Sequence, residues 1–301
     1  MKRPYVSLEI VPPLKGMTKV ELLDDIRQFI PFNPKYINVT CHRDEIEFQE
    51  QPDGTFVKRL VRKRVSETAV CGAIQNEFKA EVVPHLICGG NTTGQIDFLL
   101  HDFKFMGIRN VMALRGDSLA GERRFTSTPG GYDHANQLVE AIRRFERENG
   151  CEGFFRIGVG GYPEKHFEAA NMEDDITNLK RKVDAGADYI ITQMFFDNSV
   201  YYRFVERCRK AGIEVPVIPA LKPLSTARQV RLLPETFSID IPAALTRKIG
   251  QFRDDKEAVY AAGQEWAAAQ CADLIANGVE GVHFYTMGKS ANVIGILKEC
   301  F

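Results

Sequence analysis

Apolar residues along this chain recur in a fixed order: a short β-rich run, a polar turn, then a stretch with apolar positions three and four apart. The β-rich runs fall near residues 5–10, 35–40, 81–88, 109–114, 154–160, 188–195, 215–220 and 280–286. Strands alternating with helical patterns form parallel sheets joined by crossover helices. Eight of them predict closure into a (β/α)8 TIM barrel, read as a single domain over residues 1–301.

The stretch from Asp174 to Val183 shows the helical pattern. Ile176, Leu179 and Val183 share one face. Lys180, Arg181 and Lys182 lie near the end, where cations suit the helix dipole, and Gly186 offers a left-handed cap. The run that follows, YIITQMFF, reads as a strand buried on both faces, with Gln193 the polar exception near its end. Pro52-Asp53-Gly54 sits between two alternating runs and predicts a β-hairpin inserted near 46–60. Residues 237–280 exceed the needs of one loop, so extra helices near 242–250 and 254–276 are expected in the last crossover.

Composition adds limits. Hydrophobic residues make up 44% and charged residues 26% of 301, enough for a sizeable core in a soluble chain. The net charge of -1 leaves no basic surplus for a phosphate backbone, so nucleic acid is not an expected partner. MKRPYVSLEIVPP, broken by Glu9 and two prolines, is neither a signal peptide nor a membrane span. Seven scattered cysteines without a CxxC pair predict neither a disulfide framework nor structural zinc, but reduced thiols in the cytoplasm. His85 with Cys88, and Cys41 with His42, lack zinc-site spacing, and no metal is expected.

Barrels carry their chemistry at the C-terminal ends of their strands. Those ends supply Glu9, Thr40, His85, Asp117, Tyr162, Gln193 and Tyr285. A buried polar residue at one strand end is often structural; seven on one rim favour a site. Glu9, between Leu8 and Ile10, should lose solvation and hold its proton near neutrality, as an acid catalyst must. The alternative is an ion pair with Lys or Arg. Asp117 in LRGD follows a glycine that permits close approach to a ligand; its alternative is a helix N-cap. Gly158-Val159-Gly160-Gly161 lacks the spacing and helix start of a dinucleotide fingerprint. No P-loop and no GxSxG elbow occurs.

SLEIVPP, VVPHLIC, ALRGD, GYPEKH, NLKRKVDAGADYIITQMFFD, PVIPALKPLS and HFYT together resemble methylenetetrahydrofolate reductases of the bacterial type, from about residue 5 to the C-terminus. ALRGD and the long NLKRKVDAGAD block are the most specific pieces. The resemblance implies a flavoprotein oxidoreductase with noncovalent FAD across the strand ends. It further implies ping-pong reduction of 5,10-methylenetetrahydrofolate to 5-methyltetrahydrofolate by NADH or NADPH, feeding methionine synthesis. It makes Glu9 the acid that opens the methylene bridge, and Asp117 the charge beside flavin and pterin. FAD contacts fall on Thr40, His85, Leu114, Arg115, Gly116, Asp117, Ala135, Tyr162, His166, Asp175, Asn178, Arg181 and Lys182. Gln193, Gln229, Tyr285 and Lys289 would meet the substrates. A homo-oligomer is expected, and no S-adenosylmethionine control. Departures include LEIVPP for FEFFPP, Met194 for Phe, Lys289 for Arg, and His134, with Tyr132 nearby, for a Tyr. Two other readings stand beside this one: a folate-binding barrel that transfers a methyl group without redox chemistry, and a non-catalytic assembly subunit.

Overall fold

The protein is described by a computed structural model covering residues 3–119, 122 and 124–301. In chain order its strands are β1 (Tyr5–Ile10), β2 (Tyr36–Val39), β3 (Glu45–Glu50), β4 (Phe56–Val61), β5 (Val82–Ile87), β6 (Asn110–Leu114), β7 (Arg156–Gly161), β8 (Tyr189–Thr192), β9 (Val217–Ile218), β10 (Ala220–Leu221) and β11 (Gly281–Tyr285). β3 and β4 pair only with each other, as an antiparallel hairpin. The other nine form one parallel sheet in the order β10-β11-β1-β2-β5-β6-β7-β8-β9. β9 and β10 are one strand interrupted at Pro219. Proline has no N–H to give the ladder, but its carbonyl still accepts from His283 N–H at 2.9 Å. The interrupted strand pairs with β8 on one side and β11 on the other, which closes a TIM barrel of eight staves.

Alternation along the strands sorts two cores. On β1, Val6, Leu8 and Ile10 are buried against the helices, while Tyr5 packs inside the barrel. The inner cluster holds Val83, Met112, Tyr189, Ile191, Ile218 and Ala220. The glycines of β7 serve both layers, Gly158 facing Tyr189 of the inner cluster and Gly161 facing Ile190 and Phe204 of the outer core. A Cβ on Gly158 would lie 2.4 Å from the Tyr189 ring, and one on Gly161 would lie 2.7 Å from Ile190.

The helical layer runs α1 (Lys19–Arg27), α2 (Glu67–Phe78), α3 (Thr93–Phe105), α4 (Ala135–Glu148), α5 (Met172–Asp184), α6 (Asn198–Lys210), α7 (Gln229–Phe237), α8 (Ala243–Gln251), α9 (Lys256–Ala276) and α10 (Ala291–Cys300). On α5, Ile176 and Leu179 are buried, and Gly186 beyond its end has φ +115°. The YIITQMFF run is not one strand. β8 stops at Thr192, where the Gln193 side-chain oxygen accepts the Met194 N–H at 2.9 Å. Met194 and Phe196 then join a separate core with Leu233, Leu245 and Val259 from α7, α8 and α9. All seven cysteines are free thiols.

Helix α9 crosses the segment after β10 in close contact. A Cβ on Gly263 would lie 1.9 Å from the carbonyl oxygen of Leu224. Alanine is the better helix former by about 1 kcal/mol, so this glycine is a packing requirement. Gly263→Ala is expected to cost roughly 1–3 kcal/mol through overpacking, seen as a lower urea midpoint. A raised or unchanged midpoint would refute the close approach.

Candidate active site

Glu9 on β1 stands in register between Asn38 of β2 and Tyr285 of β11. Its side chain is 15% exposed, and its Oε2 lies 3.7 Å from His85 Nε2 on β5. That separation is within range of a salt bridge, but burial opposes the charge on both groups. Burial first, and then the nearby Asp117 charge, push Glu9 up to about 8. Burial, aided by His42, drives His85 down to about 3. Both shifts favour the neutral forms at pH 7, and no Lys or Arg pairs with Glu9 among the described residues. The geometry therefore favours the protonated acid over the ion pair.

Apart from the Asp117 charge, the groups on the strands beside Glu9 are polar. Ser7 Oγ meets His283 Nδ1 at 2.9 Å, and burial lowers His283 to about 3. Tyr285 donates its hydroxyl to the Thr192 carbonyl at 2.9 Å. Thr40 Oγ1 meets His42 Nε2 at 2.9 Å. Asn38 is 1% exposed, and its Oδ1 has no hydrogen-bond partner.

Asp117 lies beyond the end of β6, after Leu114, Arg115 and Gly116, whose φ is +86°. The Asp117 carboxylate is exposed and caps no helix; the next helix, α4, opens at Ala135. The N-cap reading therefore fails. Arg43, which the sequence did not single out, donates to the Asp117 carbonyl at 3.2 Å and to Thr126 O at 3.3 Å. Its guanidinium lies 5.4 Å from the Phe125 centroid and that of Arg115 4.8 Å. Arg115 also pairs with Glu168.

A second group gathers where β7 meets α5. Tyr162 packs edge-on to His166 at 4.6 Å, and Asp175 accepts the His166 N–H at 3.0 Å. Lys182 donates to Gly160 O at 2.6 Å; burial, partly offset by Asp175, lowers it to about 8. Asn178 and Arg181 are exposed on α5, with Arg181 Nη1 donating to Asn178 Oδ1 at 2.9 Å. Gln229 accepts the Ser225 N–H at 2.7 Å through its side-chain oxygen. Lys289 is exposed in the turn after β11. Lys222, just past β10, is 3% exposed with only a 3.4 Å contact to its neighbour's carbonyl, and burial lowers it to about 8. Nothing in the local sequence marks it, since the strand it follows is split.

A pocket of about 410 Å³ opens at the strand C-terminal ends, between Cys41–Arg43 and Gly89–Gln95. A larger groove of about 810 Å³ lies at the opposite end, against Lys35, Arg109 and Arg156, and away from Glu9. Among the described residues no three His, Cys, Asp or Glu gather as a metal site, and no helix is long and apolar enough to cross a membrane.

A closed parallel barrel with a buried acid and a polar rim at its strand ends belongs to the class of α/β barrels that carry a ligand site on that face. More narrowly, the chain belongs to the methylenetetrahydrofolate reductase family, whose sequence profile matches residues 1–300. Methylenetetrahydrofolate reductase (NADH) 1 of Arabidopsis thaliana is 35% identical over 239 residues, covering 76% of this chain and 40% of that protein. The 5,10-methylenetetrahydrofolate reductase of Escherichia coli is 32% identical over 285 residues, covering 95% and 86%. The chain thus spans about two-fifths of its plant relatives' length, and plant and bacterial relatives match to a similar degree. A Clostridium thermocellum protein described as binding two copies of 5-methyl-5,6,7,8-tetrahydrofolic acid shares the fold, with a TM-score of 0.63 at 12% identity over 99% of this chain and 95% of that one.

The Glu9 environment has a consequence for stability. Between its ordinary value of 4.5 and about 8, only the folded chain holds this proton, so rising pH favours unfolding. His85 and His283 act oppositely, but only below their ordinary 6.5. Glu164, raised to about 7 by burial, adds a falling slope below pH 7. Lys182 and Lys222, lowered to about 8, act oppositely as pH nears 8, so the test is the difference: from pH 7 to 8 the urea midpoint of Glu9→Gln should have a less negative slope than that of the wild type. An unchanged slope would show that Glu9 ionises normally.

Proposed function

We propose that this chain is a methylenetetrahydrofolate reductase of the bacterial type, reducing 5,10-methylenetetrahydrofolate to 5-methyltetrahydrofolate with NADH or NADPH and noncovalent FAD. The observation that carries the reading is Glu9, an acid kept protonated at neutral pH in the mouth of a barrel of this family. What supports the bacterial type is the reach of the match along this chain, 95% for the Escherichia coli relative against 76% for that of Arabidopsis thaliana.

The residues fit FAD. Gly160 presents no side chain beside Leu114 and Tyr162, where a Cβ would meet only ordinary contacts at 3.5 and 3.8 Å. Arg181 and Lys182 on α5 supply cations for a diphosphate. Thr40, His85, Leu114, Arg115, Gly116, Asp117, Ala135, Tyr162, His166, Asp175 and Asn178 would complete its contacts. When bound, the flavin supplies a two-electron relay between nicotinamide and folate.

The chain's own residues handle the proton and the charge. Glu9 gives its carboxyl proton to a bridging amine of the folate, and the methylene bridge opens to an iminium. An acid holding its proton near the working pH is suited to this step. Asp117 sets its exposed carboxylate near that cation. Neutral His85 beside Glu9 adds no positive charge that would ionise the acid. Gln193 can offer amide donors to either substrate in turn. Gln229 and Tyr285 border the folate, and Lys289 meets its anionic tail as a point charge.

The purified protein should be yellow, and acid precipitation should free the flavin into the supernatant. Anaerobic NADH should bleach it, and methylenetetrahydrofolate should restore the colour. Steady-state lines at varied NADH and folate should be parallel. A colourless protein that still turns folate over would favour methyl transfer without redox chemistry, and intersecting lines would contradict a shared site.

A further inference from the structure

Asn38 and Glu9 are Cα partners on adjacent parallel strands, β2 and β1. Such strands lie about 4.8 Å apart, and side chains in register share one face. On β2, Ile37 and Val39 are buried in the core under the helices, whereas Tyr36 packs against the inner cluster. Alternation therefore turns Asn38 into the barrel, on the side of Glu9. There it is 1% exposed, with Oδ1 accepting no hydrogen bond. A buried amide oxygen left without a donor is costly.

Glu9 has the complementary need. Its neutral carboxyl carries one O–H, and His85 Nε2, at 3.7 Å, is too far to accept it. The groups facing Glu9 are His85 from β5 with His42 beyond it, Asp117 from the loop after β6, and Tyr285 from β11 with Tyr162 beyond it. Tyr285 spends its hydroxyl hydrogen on Thr192 O.

We propose that Asn38 is a positioning residue for Glu9: its Oδ1 accepts the carboxyl O–H and keeps Glu9 in its acid form, aimed at the barrel mouth. The inference rests on the reading of Glu9 as the acid of folate reduction. An acceptor facing the carboxyl favours its protonated form and repels the carboxylate. With the amide turned over, Nδ2 would favour the carboxylate, and removing Asn38 would act in the opposite direction. The sign of the change therefore distinguishes the two.

The test is an infrared titration of the carboxylic C=O stretch in the full-length protein, with Glu9 assigned by subtracting Glu9→Gln. In Asn38→Leu the midpoint should fall by about one pH unit, a tenfold loss of proton affinity. Asn38→Thr, which keeps an oxygen acceptor, should recover most of it. The alkaline limb of folate reduction should move the same way. If Asn38→Leu does not fold, Asn38→Ala against Asn38→Thr gives the same contrast. A midpoint that stays or rises overturns the proposal. A midpoint that falls in a protein without folate reductase activity upholds the contact and overturns only the functional reading.

Discussion

The site depends on one constraint: a carboxyl is largely withdrawn from water at the end of β1, with no cation paired to it among the described residues. Leu8 and Ile10 bury the outer face of the strand at 0% and 2% exposure, so Glu9 must turn inward. Two lysines near the strand ends turn to backbone carbonyls instead, Lys182 to Gly160 O and Lys222 to Pro223 O. With burial and Asp117 both opposing ionisation, the carboxyl stays neutral. A guanidinium at the same place would have made it a structural ion pair.

Around that acid, the loops are braced to one another rather than to the barrel alone. Arg43 ties the loop after β2 to the Asp117 loop, and Arg115 ties that loop to Glu168 after β7. Asp175 at the start of α5 holds the His166 N–H of the same β7–α5 loop. Loops carry function when a rigid scaffold positions them. Here the bracing fixes Asp117 relative to Glu9 although the Asp117 carboxylate itself is exposed.

Each of the eight β-rich runs falls on a barrel stave, because strands buried on both faces leave near-continuous apolar runs. The pattern failed where backbone chemistry overruled it. Pro219 split one stave, and the Gln193 side chain turned the chain before Met194. The glycine run of β7 looked like part of a nucleotide fingerprint, but Gly158 is there to admit the Tyr189 ring. Glu9 was legible because an acid among aliphatics is conspicuous. Asn38, Arg43 and Lys222 were not, since their partners or their burial come from residues far away in the chain. The roles given to the FAD and folate contacts came from family resemblance, and no periodicity or spacing could have supplied them.

On the proposed reading, the Glu9 proton serves the folate and not the nicotinamide. Rapid mixing of Glu9→Gln separates the two. Flavin reduction by NADH should proceed at close to the wild-type rate, while reoxidation by methylenetetrahydrofolate should slow by at least ~10²-fold, the scale of a positioned acid. Equal slowing of both half-reactions, or no slowing of the second, would contradict the account.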